Sequence, residues 1–336
     1  MPKNPGGWKP EDIYIDLRNS RIDSDYKFSK IGNDLDGYDE VSYDKYNNTS
    51  RKIDLIKQRG EDEEKFAVCH IEKSSKGNKV EIRLQKTKWS RLQFSWDILR
   101  RLDTKNEPII NLNQEEKINE VYKNALNLKG EFLNNSFCLH LILVSKNGNA
   151  ILSRISNKKT NDYPSTWAAT IGEQIEKRDF FNASNGEVYS DFVVRWVKRA
   201  LAEELDIEEN LTLEQKMTEI EEYVDMDSLR VLSVDFEGDI YNIALTCVLR
   251  LKINTDEFKS LKEIKVNTDE MTNEFMECSE QDIRKILLSY PKDIKNYHPS
   301  TYLRLLMYHL YSAKKSFTMS AIVKDYIKNK KRFKRD

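Results

Sequence analysis

Apolar residues follow two different spacings along this chain, and each spacing predicts a type of element. From residue 65 to residue 87, apolar residues alternate with charged ones around a Ser-Ser-Lys-Gly-Asn stretch, which is typical of a β-hairpin with one exposed face. Residues 137–144 are apolar at almost every position and predict a strand that is buried on both faces. The Asn147-Gly148 pair is a turn signal, so residues 150–156 are expected to form the next strand.

The helical spacing is clearest from Val193 to Ile207. Val194, Val197, Leu201 and Leu205 recur at three- and four-residue steps, which predicts that one side of an α-helix is buried. Similar spacing and capping signals predict further helices over residues 113–128, 211–227, the segment after Ser279 and residues 298–312. Residues 230–253 are expected to supply two strands, one on each side of an acidic turn.

The polar side of the central helix concentrates charge. Arg199 and Glu203 are four residues apart and therefore neighbours one turn away, and Glu204 follows directly. Two adjacent carboxylates can hold a hard divalent cation, with one oxygen oriented by the arginine. The alternative is an Arg/Glu helix face that is simply solvated.

The same stretch resembles the second half of the Nudix box. That pattern is Gly, five residues, Glu, seven residues, then Arg-Glu-apolar-any-Glu-Glu-any-Gly-apolar. The matching residues are Arg199, Leu201, Glu203, Glu204 and Ile207, with Asp191 at the place of the first Glu. Three positions depart from the pattern: Ala200 replaces the Glu of the Arg-Glu pair, Asp206 replaces the late Gly, and Asn185 stands where the box opens with Gly.

The segment before the box looks nearest to the branch of the superfamily that includes isopentenyl diphosphate isomerases. Trp167 and Gly172 fit the Trp and the Gly-containing turn that this branch brings near the substrate phosphates. Glu173 takes the place of a His, and a carboxylate suits magnesium or manganese as an oxygen ligand. Ile171 stands where the isomerase has its catalytic Cys, which disfavours isomerase chemistry.

The resemblance implies a site for Mg²⁺ or Mn²⁺, in which Arg199 orients a glutamate. Glu237 and Asp239 fall where the isomerase branch has a Glu-any-Glu pair that faces the metal, although an ordinary acidic β-turn is the alternative. The catalytic candidates are Glu203, Glu204 and Arg199, and the candidate metal ligands are Glu203, Glu204, Glu173, Glu237 and Asp239.

The implied fold is α/β, a Nudix-type α/β/α sandwich with a mixed sheet, preceded by an N-terminal α+β extension. At 336 residues, the chain is long enough for such a domain with a large extension. The predicted units are the extension at 1–130, the Nudix-like domain at 131–312 and a basic C-terminal tail at 313–336.

The overall composition says little about binding partners, whereas the local charge of the tail indicates a possible one. With 55 Lys and Arg against 56 Asp and Glu, the net charge of −1 gives no global argument for nucleic acid. The basic tail is suited to nucleic acid or an anionic surface, or else is a solvated helix that frays. We also expect a nucleotide-type small-molecule ligand, and a protein partner for the N-terminal extension.

The location expected from the sequence is the cytoplasm. The chain has no apolar run of the ~18 residues that a transmembrane segment needs, and its N-terminus lacks the apolar core of a signal peptide. Its four cysteines and four histidines are scattered without metal-ligand spacing, so we expect reduced core thiols and structural histidines.

Two functions are compatible with these features. The first is a divalent-metal-dependent hydrolase that cleaves a pyrophosphate bond in a nucleoside diphosphate linked to another group. The second is a catalytically degenerate Nudix fold that acts as a nucleotide-binding sensor or as a regulatory or assembly module. Ala200 favours the second function, and the intact Glu203-Glu204 pair favours the first.

Overall fold

The structure is a computed structural model. It describes residues 6–16, 63–73, 79–89, 92, 135–156, 163–182, 185–205, 211–237, 242–263, 271–289 and 296–314. The strands are β1 Ile13–Asp16, β2 Glu64–Lys73, β3 Val80–Lys88, β4 Ser136–Val144, β5 Ala150–Ile155, β6 Trp167–Ala169, β7 Ile171–Gln174, β8 Phe181–Asn182, β9 Glu187–Val188, β10 Val224–Glu237, β11 Asn242–Leu251 and β12 Met271–Cys278. The α-helices are α1 Lys177–Phe180, α2 Phe192–Leu205, α3 Leu213–Glu219, α4 Thr255–Glu263, α5 Glu280–Ser289 and α6 Pro299–Ser312.

A mixed central sheet organises the molecule. Its strand order is β10-β11-β4-β5-β12, with β6 paired to β5 and β7 paired to β4. Strands β11 and β4 run parallel, whereas the other neighbours are antiparallel. At the outer edge of β10, Trp8 pairs with Val231. Strand β4 is central, which explains why its sequence is apolar on both faces.

Helices cover both faces of this sheet, so the fold is an α/β sandwich with a mixed sheet. Because successive strand residues point to opposite faces, β4 sends Leu139 and Leu141 into the core that contains α2. It sends Ile142 and Val144 into the core that contains α6. The predicted fold class is confirmed at this level.

Helix α2 buries a wide apolar side. Val197 and Leu201 lie in the core as predicted, whereas Val194 is only partly buried. The remaining fully buried apolar residues of this helix are Phe192, Val193, Trp196, Ala200 and Ala202. Among the described side chains, the buried side of the helix is therefore wider than the predicted stripe, and the predicted Leu205 side chain lies outside them.

Most other predicted elements are present among the described residues. The predicted hairpin is β2 and β3, and the capping signal at the start of α5 is formed by Ser279 and Asp282, each of which binds the other's backbone N–H. The predicted helix 211–227 is too long, because the chain enters β10 at Val224, which pairs with Leu251. Pairing along β11 overrides the local helical pattern there.

The N-terminal strands share a core with the central sheet. Strands β1, β3 and β2 form a three-stranded sheet whose buried side chains, including Ile13, Val68 and Ile82, belong to the same cluster as Trp196 of α2. The rings of Phe66 and Phe180 meet edge to face at 4.8 Å. The predicted boundary at residue 130, the helix at 113–128 and most of the tail, from residue 315 on, lie outside the described residues.

Asn135 joins the two sheets through its side chain. At the irregular register of β2 and β3 beside Val68, its Nδ2 donates to the Val68 carbonyl at 2.9 Å and its Oδ1 accepts from the Val68 N–H at 2.9 Å. The amide thus replaces a neighbouring strand for one residue, and both backbone groups are satisfied although they are buried.

Replacing Asn135 by leucine is expected to lower the free energy of unfolding by about 2 kcal/mol, because the two buried Val68 groups lose their partners. Urea denaturation followed by circular dichroism measures the change. The matched control is Asn296→Leu at an exposed position, where we expect little change. Equal stability of the two variants would show that the Asn135 bridge contributes nothing.

Among the described residues, no helix has the length and apolar character needed to cross a lipid bilayer.

Candidate functional site

Arg199 is the centre of the charged cluster on α2. Only 1% of its side chain is exposed, so it is not part of a solvated helix face. Its guanidinium donates two hydrogen bonds to Asp179, from Nε to Oδ1 at 2.7 Å and from Nη2 to Oδ2 at 3.0 Å. A third hydrogen bond runs from Nη2 to the Gln174 carbonyl at 2.6 Å.

The partner Asp179 is itself held by the turn before α1. It is 2% exposed, and its Oδ2 accepts a hydrogen bond from the Glu176 N–H at 2.7 Å. Burial alone would lower the pKa of Arg199, but the hydrogen bonds and negative charge of Asp179, with Glu173 and Glu203 nearby, raise it above its ordinary value. Arg199 therefore stays charged at any physiological pH.

Glu203 lies between two guanidinium groups. Its Oε2 accepts from Arg199 Nη1 at 2.6 Å, which is the predicted contact one turn apart, and its Oε1 accepts from Arg178 Nη2 at 2.8 Å. The side chain is 33% exposed. Both carboxylate oxygens are thus already used by cations of the protein.

Glu173, Glu204 and Ala200 also lie near Arg199, but they differ in burial and in contacts. Glu173, on β7, is 3.5 Å from Arg199 Nη1 through its Oε1. Glu204 is buried, with 6% exposure. Ala200 is fully buried in the apolar core, so a carboxylate at this position would be placed among apolar side chains at a high desolvation cost.

An open depression of about 330 Å³ lies beside this cluster. It is lined by Arg178, Ala202, Glu203, Leu211, Leu213 and Lys216. Glu203 therefore reaches a concave surface together with two basic side chains, whereas Glu204, the other residue of the predicted pair, is not among the lining residues.

Glu237 lies on the opposite face of the central sheet. It pairs in register with Asn242, which pairs with Ser136 of β4, and this face is the one covered by α6 rather than by α2. The prediction that Glu237 joins Glu203 in one site therefore does not agree with the geometry. The sequence alone does not show which face of the sheet Glu237 occupies, because this depends on the register of β10 against β11. Asp239 lies outside the described residues.

The donor set does not fit a divalent cation in this arrangement. Within the part of the chain that the structure describes, no three His, Cys, Asp or Glu side chains come together as metal ligands. A cation that used Glu203 would have to displace Arg199 or Arg178 from its oxygens. Of the predicted ligands, Glu203 and Glu237 are thus engaged by arginine side chains.

The α6 face carries a second polar cluster, which the sequence interpretation missed. Glu237 accepts from Asn242 Nδ2 at 2.6 Å, contacts His140 Nε2 at 3.3 Å and forms a buried ion pair with Arg304. Burial alone would raise the pKa of Glu237, but Arg304 and the hydrogen bonds lower it well below its usual range. The sequence feature that could have indicated this cluster is His140, a polar residue within a largely apolar strand.

His140 is neutral in this cluster. Burial, followed by the charge of Arg304, lowers the pKa of its imidazole. Cys138, on the same face of β4, is not a nucleophile, because burial and then Glu237 raise the pKa of its thiol to about 12.

His298 caps α6 and borders the same cluster. Its Nδ1 accepts from the Ser300 N–H at 3.3 Å, the hydrogen bond expected at a helix N-cap. Burial, then the charge of Arg304, lowers the pKa of His298 from 6.5 to about 3.

Lowering the pH from about 7 to about 5 is expected to remove about 2 kcal/mol of unfolding free energy through His298, because the unfolded chain takes up a proton that the folded chain does not. The loss begins near the ordinary pKa of 6.5 and continues toward about 3. Urea denaturation at several pH values measures it.

The matched variant is His298→Asn, since asparagine also caps a helix but does not titrate. We expect its stability to fall less steeply over the same pH interval. An unchanged slope would show that His298 is not the group responsible.

The comparisons with known proteins give no family assignment. Neither family models nor curated proteins match this chain. Among solved structures, the crystal structure of DR0079 from Deinococcus radiodurans, at 1.9 Å resolution, is similar at 14% identity over 51% of this chain and 80% of that chain, with a TM-score of 0.30. A likeness this weak supports no conclusion about this protein.

Proposed function

We propose that the chain is a catalytically degenerate Nudix-like domain, which acts as a nucleotide-binding sensor or regulatory module rather than as a hydrolase. The observation that carries the proposal is the engagement of Glu203 by Arg199 and Arg178. A carboxylate that already neutralises two guanidinium groups has little remaining capacity for a cation.

The packing of α2 supports the same proposal. In the resemblance to the Nudix box, the residue after the arginine is the Glu that usually binds metal, and here it is Ala200 in the apolar core. Arg199 is tied to Asp179 by two hydrogen bonds and to Glu203 by one, which suits a structural role that fixes α1 and the turn before it against α2.

The hydrolase is the second candidate, and one observation favours it. Glu203 is one-third exposed and borders the depression that also contains Arg178 and Lys216, whose positive charges suit a diphosphate. The described carboxylates do not fit Mg²⁺ or Mn²⁺ as they stand, so this candidate requires Glu203 to release Arg199 and Arg178.

One assay distinguishes the two candidates. Purified protein is incubated with Mg²⁺ or Mn²⁺ and a panel of ADP-ribose, dinucleoside polyphosphates, nucleotide sugars and capped RNA, and released monophosphates are measured by chromatography. The sensor proposal expects no release but a higher melting temperature with at least one ligand. Release of monophosphate would favour the hydrolase instead. The absence of both release and a thermal shift would overturn the sensor proposal.

Should monophosphate be released, Glu204→Gln decides whether the site identified by the resemblance is responsible. A hydrolase that uses this site is expected to lose orders of magnitude in rate, with unchanged melting temperature as the folding control. A variant that keeps the wild-type rate would exclude this role of Glu204.

The proposal also includes location and partners. A cytoplasmic location is supported by Cys138, Cys247 and Cys278, which are buried free thiols. A protein partner for the N-terminal region, and nucleic acid or an anionic surface for the tail, stay predictions, because residues 17–62, 93–134 and 315–336 lie outside the described residues.

A further inference from the structure

The cluster around Glu237 is unusual for its position. It places a carboxylate and a guanidinium, 6% and 4% exposed, between a sheet and a helix whose other contacts are mostly apolar. A buried ion pair rarely stabilises a protein more than well-packed apolar residues of similar volume would. Clusters of this kind are therefore candidates for a functional site.

The hydrogen bonds assign the proton on His140. Glu237 is ionised beside Arg304 and can only accept hydrogen bonds, so the imidazole nitrogen that faces it, Nε2, carries the proton. In a neutral imidazole the other nitrogen, Nδ1, then has a free lone pair. Glu237 thus orients His140 so that Nδ1 is a hydrogen-bond acceptor.

This acceptor lies beside Gly172, which has no side chain. Gly172 of β7 pairs with His140 and is exposed, and a Cβ added there would come within 3.3 Å of Nδ1. The His140 side chain keeps 13% of its surface exposed. Glycine at 172 therefore leaves the Nδ1 edge of the ring uncovered by a neighbouring side chain.

The neighbouring groups favour a flat and uncharged ligand. The charges of Arg304 and Glu237 neutralise each other, so an anion gains little net attraction here. An anion without a hydrogen also offers no donor to Nδ1. His298 interacts electrostatically with this cluster, and its ring lies 5.0 Å from that of Tyr163, which adds aromatic surface beside it.

We propose that His140 is the hydrogen-bond acceptor of a second ligand site, on the α6 face above Gly172, and that this site takes the N–H edge of an uncharged heterocycle such as a nucleobase. Glu237 and Arg304 are positioning residues, because they act through His140. The inference goes beyond the proposed function and does not depend on it, since such a site serves a binding module and an enzyme equally well.

Acylation of histidine tests the inference on the full-length chain. The protein is treated with diethyl pyrocarbonate at neutral pH, and modification of its four histidines is quantified by mass spectrometry, alone and with adenosine, guanosine, cytidine or uridine. We expect His140 to be modified, and at least one nucleoside to protect it. His70, whose side chain is 28% exposed, is expected to react with or without nucleoside.

Three results would overturn the inference. His140 stays unmodified while His70 reacts, no nucleoside protects His140, or inorganic phosphate or ribose protects it as well as the nucleosides do. The last result would show that the ligand is an anion or a sugar rather than a heterocycle.

Alanine substitutions at Gly172 and Gly6 supply a test variant and its matched control. Gly172→Ala places a methyl group against Nδ1 and is expected to abolish both the modification and the protection of His140, whereas Gly6→Ala meets no atom within 4 Å and is expected to change neither. Circular dichroism melts verify folding. If Gly172→Ala does not fold, nucleoside protection of the wild-type protein decides the question alone.

Discussion

Replacing Asp179 by asparagine is expected to lower the free energy of unfolding by about 3–5 kcal/mol, because it leaves the buried charge of Arg199 without its main partner. The two groups are 2% and 1% exposed and share two hydrogen bonds. Water cannot replace the lost carboxylate at that depth. Urea denaturation monitored by tryptophan fluorescence measures the loss.

Two controls separate the charge from the packing at this site. Glu203→Gln removes a partner that is one-third exposed, so we expect a smaller loss of about 1 kcal/mol. The double variant Asp179→Leu with Arg199→Met removes both charges and is expected to be more stable than Asp179→Asn. A tolerated Asp179→Asn would show that Arg199 is held by its other contacts.

Replacing Glu237 by glutamine is the second large effect, with an expected loss of about 3–5 kcal/mol of unfolding free energy. The substitution keeps the shape of the side chain but leaves the buried guanidinium of Arg304 uncompensated, and it weakens the acceptor for Asn242. The expected change is a lower midpoint of urea denaturation with an unchanged slope.

The matched control is Glu277→Gln, since this glutamate accepts hydrogen bonds from Ser145 and Asn149 near the surface. Its loss is expected to be well below that of Glu237→Gln. Adding Arg304→Leu to Glu237→Leu should restore part of the stability. Equal effects of Glu237→Gln and Glu277→Gln would contradict a buried, charge-dependent pair.

The elements of the fold could be predicted because they depend on local spacing. The apolar run of β4, the alternation of β2 and β3, and the period of α2 each report burial within a few residues. The contact of Arg199 with Glu203 follows from helix geometry alone.

The partners of these residues could not be predicted, because they come from distant parts of the chain. Asp179 precedes Arg199 by a separate helix and turn, and its role depends on how α1 folds back onto α2. His140, Glu237 and Arg304 come from two strands and a helix, and their meeting depends on the register of β10 against β11 and on which face α6 covers. No local pattern contains that information.

The core partner of the N-terminal strands could not be predicted either. Its strands appeared in the sequence as an extension with one wet face, yet Val68 and Ile82 lie in the same core as Trp196. An alternating pattern shows that a face is buried but does not identify what buries it.

The pairing of Trp8 with Val231 delays the folding of the N-terminal segment during synthesis. The first described segment pairs with a strand that is synthesised long after it, because Val231 is far from Trp8 along the chain. Loop-closure entropy makes contacts of such long sequence separation slow to form. We therefore expect nascent chains that end before β10 to be sensitive to protease along their N-terminal strands, and longer ones to acquire resistance.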